Sequence, residues 1–414
     1  MPIPKEKADA LAKRAQEYWR VCNRYKQARL GEIAELYDLY NNRPGPIIPG
    51  YYNVPVPVVG GFVETLLSKV DEKVMISYSI KKPSDFTRAK LVSAAWKEDA
   101  MDPENDWSYA DRQAKKIAIF TGKGIYKKYT ESHPKFCDKV EAVELEDFLF
   151  DPLGGEDIEN HLWAGQDGIW RTKDELAGPQ YDQTQVNDIF SSMTDREFTD
   201  NSEVRLLKEK RYLSIGLDIN SNSYAGIGII QLVEIQLYGE DGLRYYICFE
   251  PRSGKWVRAE LNTDVFKSDF YQWVTWSTHE DKKNFLSKAP LDDIKPIAEA
   301  VKILFNQTLD NIRKRNQGQR AYDPDIFEDP SQLQWRPDGL VMGRAVVKGK
   351  QLGDGIYEFE TPDTTTITLN LMNFLDVYLG KKTGITPDAQ GVTRERPATQ
   401  PSTHLEQPAD RLGW

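Results

Sequence analysis

The placement of histidine, cysteine and carboxylate residues decides whether this sequence can do covalent or metal chemistry. Its four histidines, His133, His161, His279 and His404, stand far apart. No H-E-x-x-H zinc pair exists, and no G-x-S-x-G elbow supports a nucleophilic triad, so they read as solvated loop or strand residues. Cys22, Cys137 and Cys248 form no C-x-x-C pair, and one is left over from any single bridge, which fits a reducing compartment. Gly122-Lys123-Gly124 is not a phosphate loop, because Ile117 stands where G-x-x-x-x-G-K-[ST] needs its first glycine and Gly124 where it needs Ser or Thr. Gly380-Lys381-Lys382 fails in the same way, with Leu375 upstream. Asp218-Ile219-Asn220-Ser221-Asn222-Ser223 spaces oxygen ligands like half a calcium loop, but position six is Ser223 and position twelve is Ile229, so the bidentate acid is missing. Asp323, Asp325, Glu328 and Asp329, interleaved with Pro324 and Pro330, read as solvated turn residues. The expectation is a chain without catalytic residues, metal or cofactor.

Positive charge offers the remaining chemistry. Arg313-Lys314-Arg315, extended by Arg320, and Lys381-Lys382 are the local basic features of a chain with 54 Lys+Arg against 64 Asp+Glu, net −10. A helix C-terminus favours cations on its own account, and a charged face is often only a wet one. The functional alternative is contact with phosphates, which needs charge near the nucleic-acid backbone but no base code. In a ring of copies each lysine becomes a belt. The net negative charge argues against a protein whose whole surface binds nucleic acid.

The elements that carry these residues follow from composition and periodicity. With 414 residues, 40% hydrophobic and 29% charged, the chain has the make-up of a folded protein of two or three domains. Its 10 Trp, 20 Tyr and 16 Phe argue for a buried core rather than disorder. The N-terminus, Met1-Pro2-Ile3-Pro4-Lys5-Glu6-Lys7, lacks the apolar centre of a signal peptide, and no window offers a membrane span. A protein that resides in, or assembles from, the cytosol is expected.

Residues 5–41 carry apolar side chains at helical spacing (Leu11, Ala15, Tyr18, Cys22, Tyr25, Ile33, Leu36, Tyr37, Tyr40) up to the breakers Asn41-Asn42-Arg43-Pro44-Gly45-Pro46. An extended stretch, Asn53 to Gly61, precedes a helix over 62–70, and two more helices are predicted over about 84–100 and 106–121. Gly122-Lys123-Gly124 turns the last into a strand from Ile125. From 139 to 262 the period changes to two, with hairpin signals at Gly239-Glu240-Asp241-Gly242 and Pro251-Arg252-Ser253-Gly254-Lys255, which predicts an antiparallel sheet. A helix over 292–316, about 37 Å long at 1.5 Å per residue, has acids at its start and Arg313-Lys314-Arg315 at its end. Strands are predicted at 339–343 and 356–360. A second helix follows Thr364-Thr365-Thr366, with Gly380 as its C′ residue. The fold class is α+β.

The order of these elements, with four local phrases, resembles the portal proteins of tailed bacteriophages. The phrases are Asn53-Val54-Pro55 before a helix opening Phe62-Val63-Glu64; the amphipathic helix closing in Gly122-Lys123-Gly124; Asp147-Phe148-Leu149-Phe150-Asp151-Pro152 with Trp170-Arg171-Thr172-Lys173-Asp174-Glu175-Leu176 downstream; and two helices around a strand-and-loop insertion, ending in Lys382-Thr383-Gly384-Ile385-Thr386 and Gly391. The resemblance implies long core and stem helices with an inserted antiparallel β wing and a small α/β clip. Its segments are a helical wing/core region over 1–138, a β-rich wing over 139–291, stem helices over 292–316 and 364–380, a clip over 317–363, and a tunnel-side segment over 381–414. After Gly391 the family ordinarily continues into a long helix and a helical crown; here Pro397, Pro401 and Pro408 intervene, so a truncated or minimal C-terminal region is expected.

The implied function is a ring, twelve copies in the family's pattern, at one capsid vertex, through which double-stranded DNA is packaged and ejected. The implied partners are other copies of the chain, the DNA, the terminase large subunit, head-completion and tail adaptor proteins, and the major capsid protein or scaffold. No membrane is involved. The location is the virion, with assembly in the host cytoplasm. Lys381 and Lys382, then Arg313, Lys314 and Arg315, are the expected DNA contacts. Twelve copies at −10 each carry about −120, which suits a bore that lets DNA slide. Two alternatives stand beside this: another phage head–tail structural protein, and a carbohydrate-active enzyme, which the Trp, Tyr and carboxylate content allows and which demands a cleft with two facing carboxylates.

Overall fold

The computed structural model describes residues 3–44, 51–70, 86–101, 107–131, 137–191, 229–316, 320–323, 356–358 and 362–383. Their elements are α1 (Lys5–Tyr40), α2 (Val58–Val70), α3 (Phe86–Met101), α4 (Trp107–Thr121), β1 (Lys123–Glu131), β2 (Cys137–Ala142), β3 (Phe148–Phe150), β4 (Trp163–Thr172), α5 (Gln183–Ser191), β5 (Ile229–Tyr238), β6 (Arg244–Phe249), β7 (Trp256–Leu261), α6 (Asn262–Phe266), β8 (Trp273–Ser277), α7 (Lys295–Asn316), β9 (Arg320–Tyr322), β10 (Ile356–Glu358) and α8 (Thr365–Thr383). Helices and antiparallel sheets make this an α+β protein. The described residues divide into two compact units, one from 1–41 and 57–295, the other from 42–56 and 296 onward.

In the first unit a five-stranded antiparallel sheet runs β3-β4-β5-β6-β7. Its central strand β5 is covered on both faces. Ile230 and Leu232 join Ile169, Tyr246, Cys248 and Val257 beneath Val186 and Ile189 of α5. On α1, Tyr18 stacks on Trp163 of β4 with centroids 4.9 Å apart, and the Cys22 thiol lies 3.4 Å from the Phe150 N–H, which donates to it. A three-stranded sheet, β2-β1-β8, is joined to α4 by Gly122. Gly122 has φ +86°, and a Cβ there would stand 2.5 Å from the Ser287 carbonyl oxygen, so only glycine makes this corner.

Two lysines lie fully inside this unit. Lys26 occupies the buried stripe of α1, four residues on from Cys22, and its ammonium donates to the backbone carbonyls of Leu145, Glu146 and Phe148. Lys123 donates to the Ser277 hydroxyl and lies 4.6 Å from the Phe285 ring centroid and 3.9 Å from Glu156. Burial pushes the Lys123 amine down to about 8. Its folded-state pKa is thus below the ordinary 10.5, so the unfolded chain holds this proton more tightly between the two values. Stability rises with pH across that window, by up to ~1.4 kcal/mol per unit from this group. Lys123→Met, measured by denaturant unfolding at pH 7.5, 8.5 and 9.5, removes the rise; an unchanged pH slope contradicts the assignment.

Several boundaries differ from the sequence reading, each for a local reason. Tyr25, expected on the buried face of the first helix, is 43% exposed, and Lys26 takes the inward position. The second helix begins at Val58, not Phe62, because buried Val59 anchors a first turn directly after Pro57. The helix expected from residue 292 begins at Lys295. Asp292 belongs to a preceding 3-10 turn, Pro290–Asp293, where its carboxylate accepts the Ala289 N–H at 2.8 Å and the Arg29 guanidinium at 2.7 and 3.0 Å. Gly380 does not end the last helix, which continues through Lys381 to Thr383, so Lys381 and Lys382 lie in its final turn. Buried Leu379 holds that turn against the roughly 1 kcal/mol cost of helical glycine. Of the strand expected from 139, β2 ends at Ala142: Val143 is buried just beyond it, its N–H donating to the Ile125 carbonyl, and Leu145 is buried in the turn that follows, while α5 and β8 had no sequence expectation. The polar loop at 218–223, the strand at 339–343, the acids 325–329 and the proline-interrupted C-terminal region lie outside the described residues.

Candidate nucleic-acid interface

The basic residues of the second unit are placed by an exchange of polar groups between α7 and the proline-spaced segment 51–56. Pro55 has no N–H, so this segment cannot pair as an ordinary strand. Asn306 of α7 serves instead as a sheet edge: its carbonyl accepts the Val54 N–H at 2.7 Å and its amide donates to the Val54 carbonyl at 3.0 Å. One turn on, Asp310 accepts the Tyr52 N–H at 2.9 Å. This lays Tyr51 and Tyr52, both largely exposed, along the final turn of α7. The Arg313 guanidinium is 5.9 Å from the Tyr52 ring centroid and the Lys314 ammonium 6.0 Å from that of Tyr51.

Arg315 makes a different contact. Its guanidinium meets the Asp363 carboxylate at 2.6 Å, and Asn311 donates to the Pro362 carbonyl at 3.2 Å, tying the end of α7 to the start of α8. Hydrogen bonds from Thr365, joined by the Arg315 charge, hold the Asp363 carboxyl below its usual range. Both partners are about half exposed, so solvent screens the pair and it serves mainly to offset the Arg315 charge.

The structure therefore brings Arg313, Lys314 and Arg315 together but sets Lys381 apart. Lys381 is exposed in the last turn of α8, 16 residues on from its first residue Thr365, or about 24 Å at 1.5 Å per residue. Lys382 lies in the same turn, and its side chain is outside the described residues. The basic features form two patches. Sequence reasoning missed Tyr51 and Tyr52. The adjacent breakers flagged an extended segment, but nothing local shows that it lies against a helix more than 250 residues later. Exposed cations alternating with exposed rings can engage phosphates and stack without reading base sequence.

Among the described residues no three His, Cys, Asp or Glu side chains gather as a cation site. His161 is buried, its imidazole pushed down by that burial, with its ring 5.4 Å from Phe285. A groove between α4 and β2 holds Tyr109, Tyr129, Glu141 and Glu144. Its two acids come from one short segment three residues apart, not from the opposed walls that glycoside cleavage requires. Among the described residues no helix is long and apolar enough to cross a membrane.

Comparison with curated proteins returns no match for this chain. Residues 89–403, well over half of the sequence and including both helices that carry the basic patches, match the family model described as Phage SU10 portal protein, and the chain belongs to that family of phage portal proteins.

Proposed function

We propose that this chain assembles into a ring at one capsid vertex, a conduit for double-stranded DNA during packaging and ejection and a platform for the terminase motor and the head–tail adaptors, with no catalytic activity of its own. The observation that carries this reading is the surface of α8. Thr365, Thr368, Met372, Leu375 and Leu379 recur at spacings of three and four and are its less exposed residues. A second stripe, Ile367, Leu371, Phe374 and Tyr378, is rotated about 120° from the first and stands 71, 43, 63 and 46% exposed. Water is a poor partner for four large apolar side chains in heptad register, and a neighbouring copy supplies the missing cover. A third sector carries exposed Asn370, Asn373 and Asp376 beside exposed Leu369 and Val377, a mixed face whose polar members are neutral or acidic and suit a wall along which DNA slides.

On this reading α7 and α8 are stem helices forming the wall, residues 317–363 form the clip that meets partners, residues 1–138 and 139–291 build the helical core and the β wing, and residues 381–392 approach the DNA. The ring holds about twelve copies in the family's pattern. Partners are the terminase large subunit, adaptor proteins and the capsid or scaffold protein, and the location is the virion, reached from the host cytoplasm. Lys381 and Lys382 touch DNA first, with Arg313 and Lys314 beside their tyrosines next and the charge-offset Arg315 last. Lys381→Glu with Lys382→Glu leaves ring assembly intact and alters packaged DNA length or retention in a phage complementation assay. Unchanged DNA content in assembled particles contradicts the contact.

A further inference from the structure

Four of the most exposed apolar side chains in the first unit sit at one end of its five-stranded sheet, where β3 ends, β4 begins and the β5–β6 hairpin turns. Leu153 is 94% exposed, Phe270 68%, Leu162 62% and Leu243 50%. They are displayed rigidly. The buried Asp151 carboxylate accepts the N–H groups of both Leu153 and Leu162, at 3.0 and 3.4 Å. The Leu162 carbonyl accepts the Tyr238 N–H at 3.2 Å, and the Leu243 carbonyl accepts the Gly239 N–H at 2.8 Å. Arg244, whose side chain is 2% exposed, donates to the Asp269 carbonyl, to Tyr238 at 2.7 Å and to Glu159 at 3.3 Å, and packs 3.8 Å from the Tyr271 ring centroid. Gly154 lies so close under His161 that a Cβ would stand 2.2 Å from the imidazole. Beside this apolar knob are the exposed acids Asp157 and Glu240, with Glu159 already paired to Arg244.

The complementary chemistry is on the same chain. No described side chain of α3 is buried, and its first two turns present Phe86, Arg88, Lys90, Leu91 and Val92 to solvent, with Leu91 65% exposed and the Lys90 ammonium 4.3 Å from the Phe86 ring centroid. Cations at a helix N-terminus oppose the helix dipole, so Arg88 and Lys90 are placed where an external acidic surface improves their energy. A ring of identical subunits needs two different, mutually complementary faces on each chain.

We infer that the N-terminal half of α3 in one copy docks, through Leu91 and Phe86 with Arg88 and Lys90, onto the acid-rimmed Leu153–Leu162–Leu243–Phe270 knob of the next copy. The inference rests on the ring reading and adds a second, outer contact to it. The test mixes two full-length variants, Leu91→Cys and Leu162→Cys, oxidises them, and resolves the products on a non-reducing gel with the parent chain as control, beside electron microscopy of each sample. The expected result is cross-linked dimers in the mixture alone, and a ladder of higher species when both cysteines are on one chain. Separately, Arg88→Glu with Lys90→Glu lowers the assembled fraction at least tenfold, and adding Asp157→Lys with Glu240→Lys restores it to within twofold. Cross-linking of either single variant with itself, or rings in the micrographs with no cross-link and no charge effect, overturns the docking while leaving the ring standing. A parent chain that forms no ring overturns both.

Discussion

Lys26→Met lowers the stability of the first unit by about 3–5 kcal/mol, a loss of roughly 10 °C in melting temperature for a unit of this size. The Lys26 ammonium serves as the shared donor for three buried carbonyls: Phe148 at 3.0 Å, Leu145 at 3.4 Å and Glu146. The turn between β2 and β3 points these oxygens inward because Asp147 and Phe148 both donate back to the Glu144 carbonyl. Methionine fills the volume of the lysine stem but offers no proton, leaving three acceptors dry at a cost of ~1–3 kcal/mol each, partly relieved by relaxation. Lys123 is an instructive contrast. Its principal acceptor is a serine hydroxyl, which can rotate to another partner, so Lys123→Met stays within about 1.5 kcal/mol of the parent at pH 7.5. Denaturant midpoints for the two variants check both statements. Equal effects at the two positions contradict the account of what holds this core.

Phe374→Ser combined with Tyr378→Ser abolishes ring assembly while leaving the monomer folded. The two rings stack on each other with centroids 6.3 Å apart and are mostly exposed, so the isolated chain loses little when they are removed. Between neighbouring copies the same rings would be buried, where truncating an aromatic anchor typically costs ~2–4 kcal/mol. Two anchors per interface amount to more than a hundredfold in subunit association, and every subunit of a ring carries the loss. Sedimentation velocity gives the assembled fraction, and circular dichroism with thermal melting confirms the fold. Rings at parental abundance contradict the assignment of this face, and a melting point lowered in the monomer shows that α8 packs on its own chain there.

The periodic parts of the molecule were legible because burial repeats with the geometry of the element. The first helix, the strand from Ile229 to Tyr238, both hairpin turns and the corner at Gly122 follow from apolar spacing and turn chemistry. What escaped was decided by tertiary partners. Lysine in an apolar stripe reads as a surface residue unless three distant carbonyls are known to meet it, so Lys26 yielded its place to Tyr25 in the reading. Gly380 reads as a terminator until Leu379 is seen to be buried. Helix α5 is short, and its two inward residues, Val186 and Ile189, give too few repeats to separate from a loop.

The basic patches show the same division. Their charge and their positions on helices are local properties, visible in Arg313-Lys314-Arg315 and in Lys381. Their surroundings are not. The tyrosines that flank Arg313 and Lys314 come from residues 51–52, and the acid that offsets Arg315 comes from residue 363. The structure sets the five residues in two places: Arg315 meets Asp363 while Arg313 and Lys314 lie beside tyrosines, and Lys381 and Lys382 share the last turn of α8.

Electron microscopy of the purified full-length chain tests the central claim most directly. The account predicts closed rings in end-on view, with an axial channel wide enough for duplex DNA. A population of monomers, or rings closed at the centre, contradicts it.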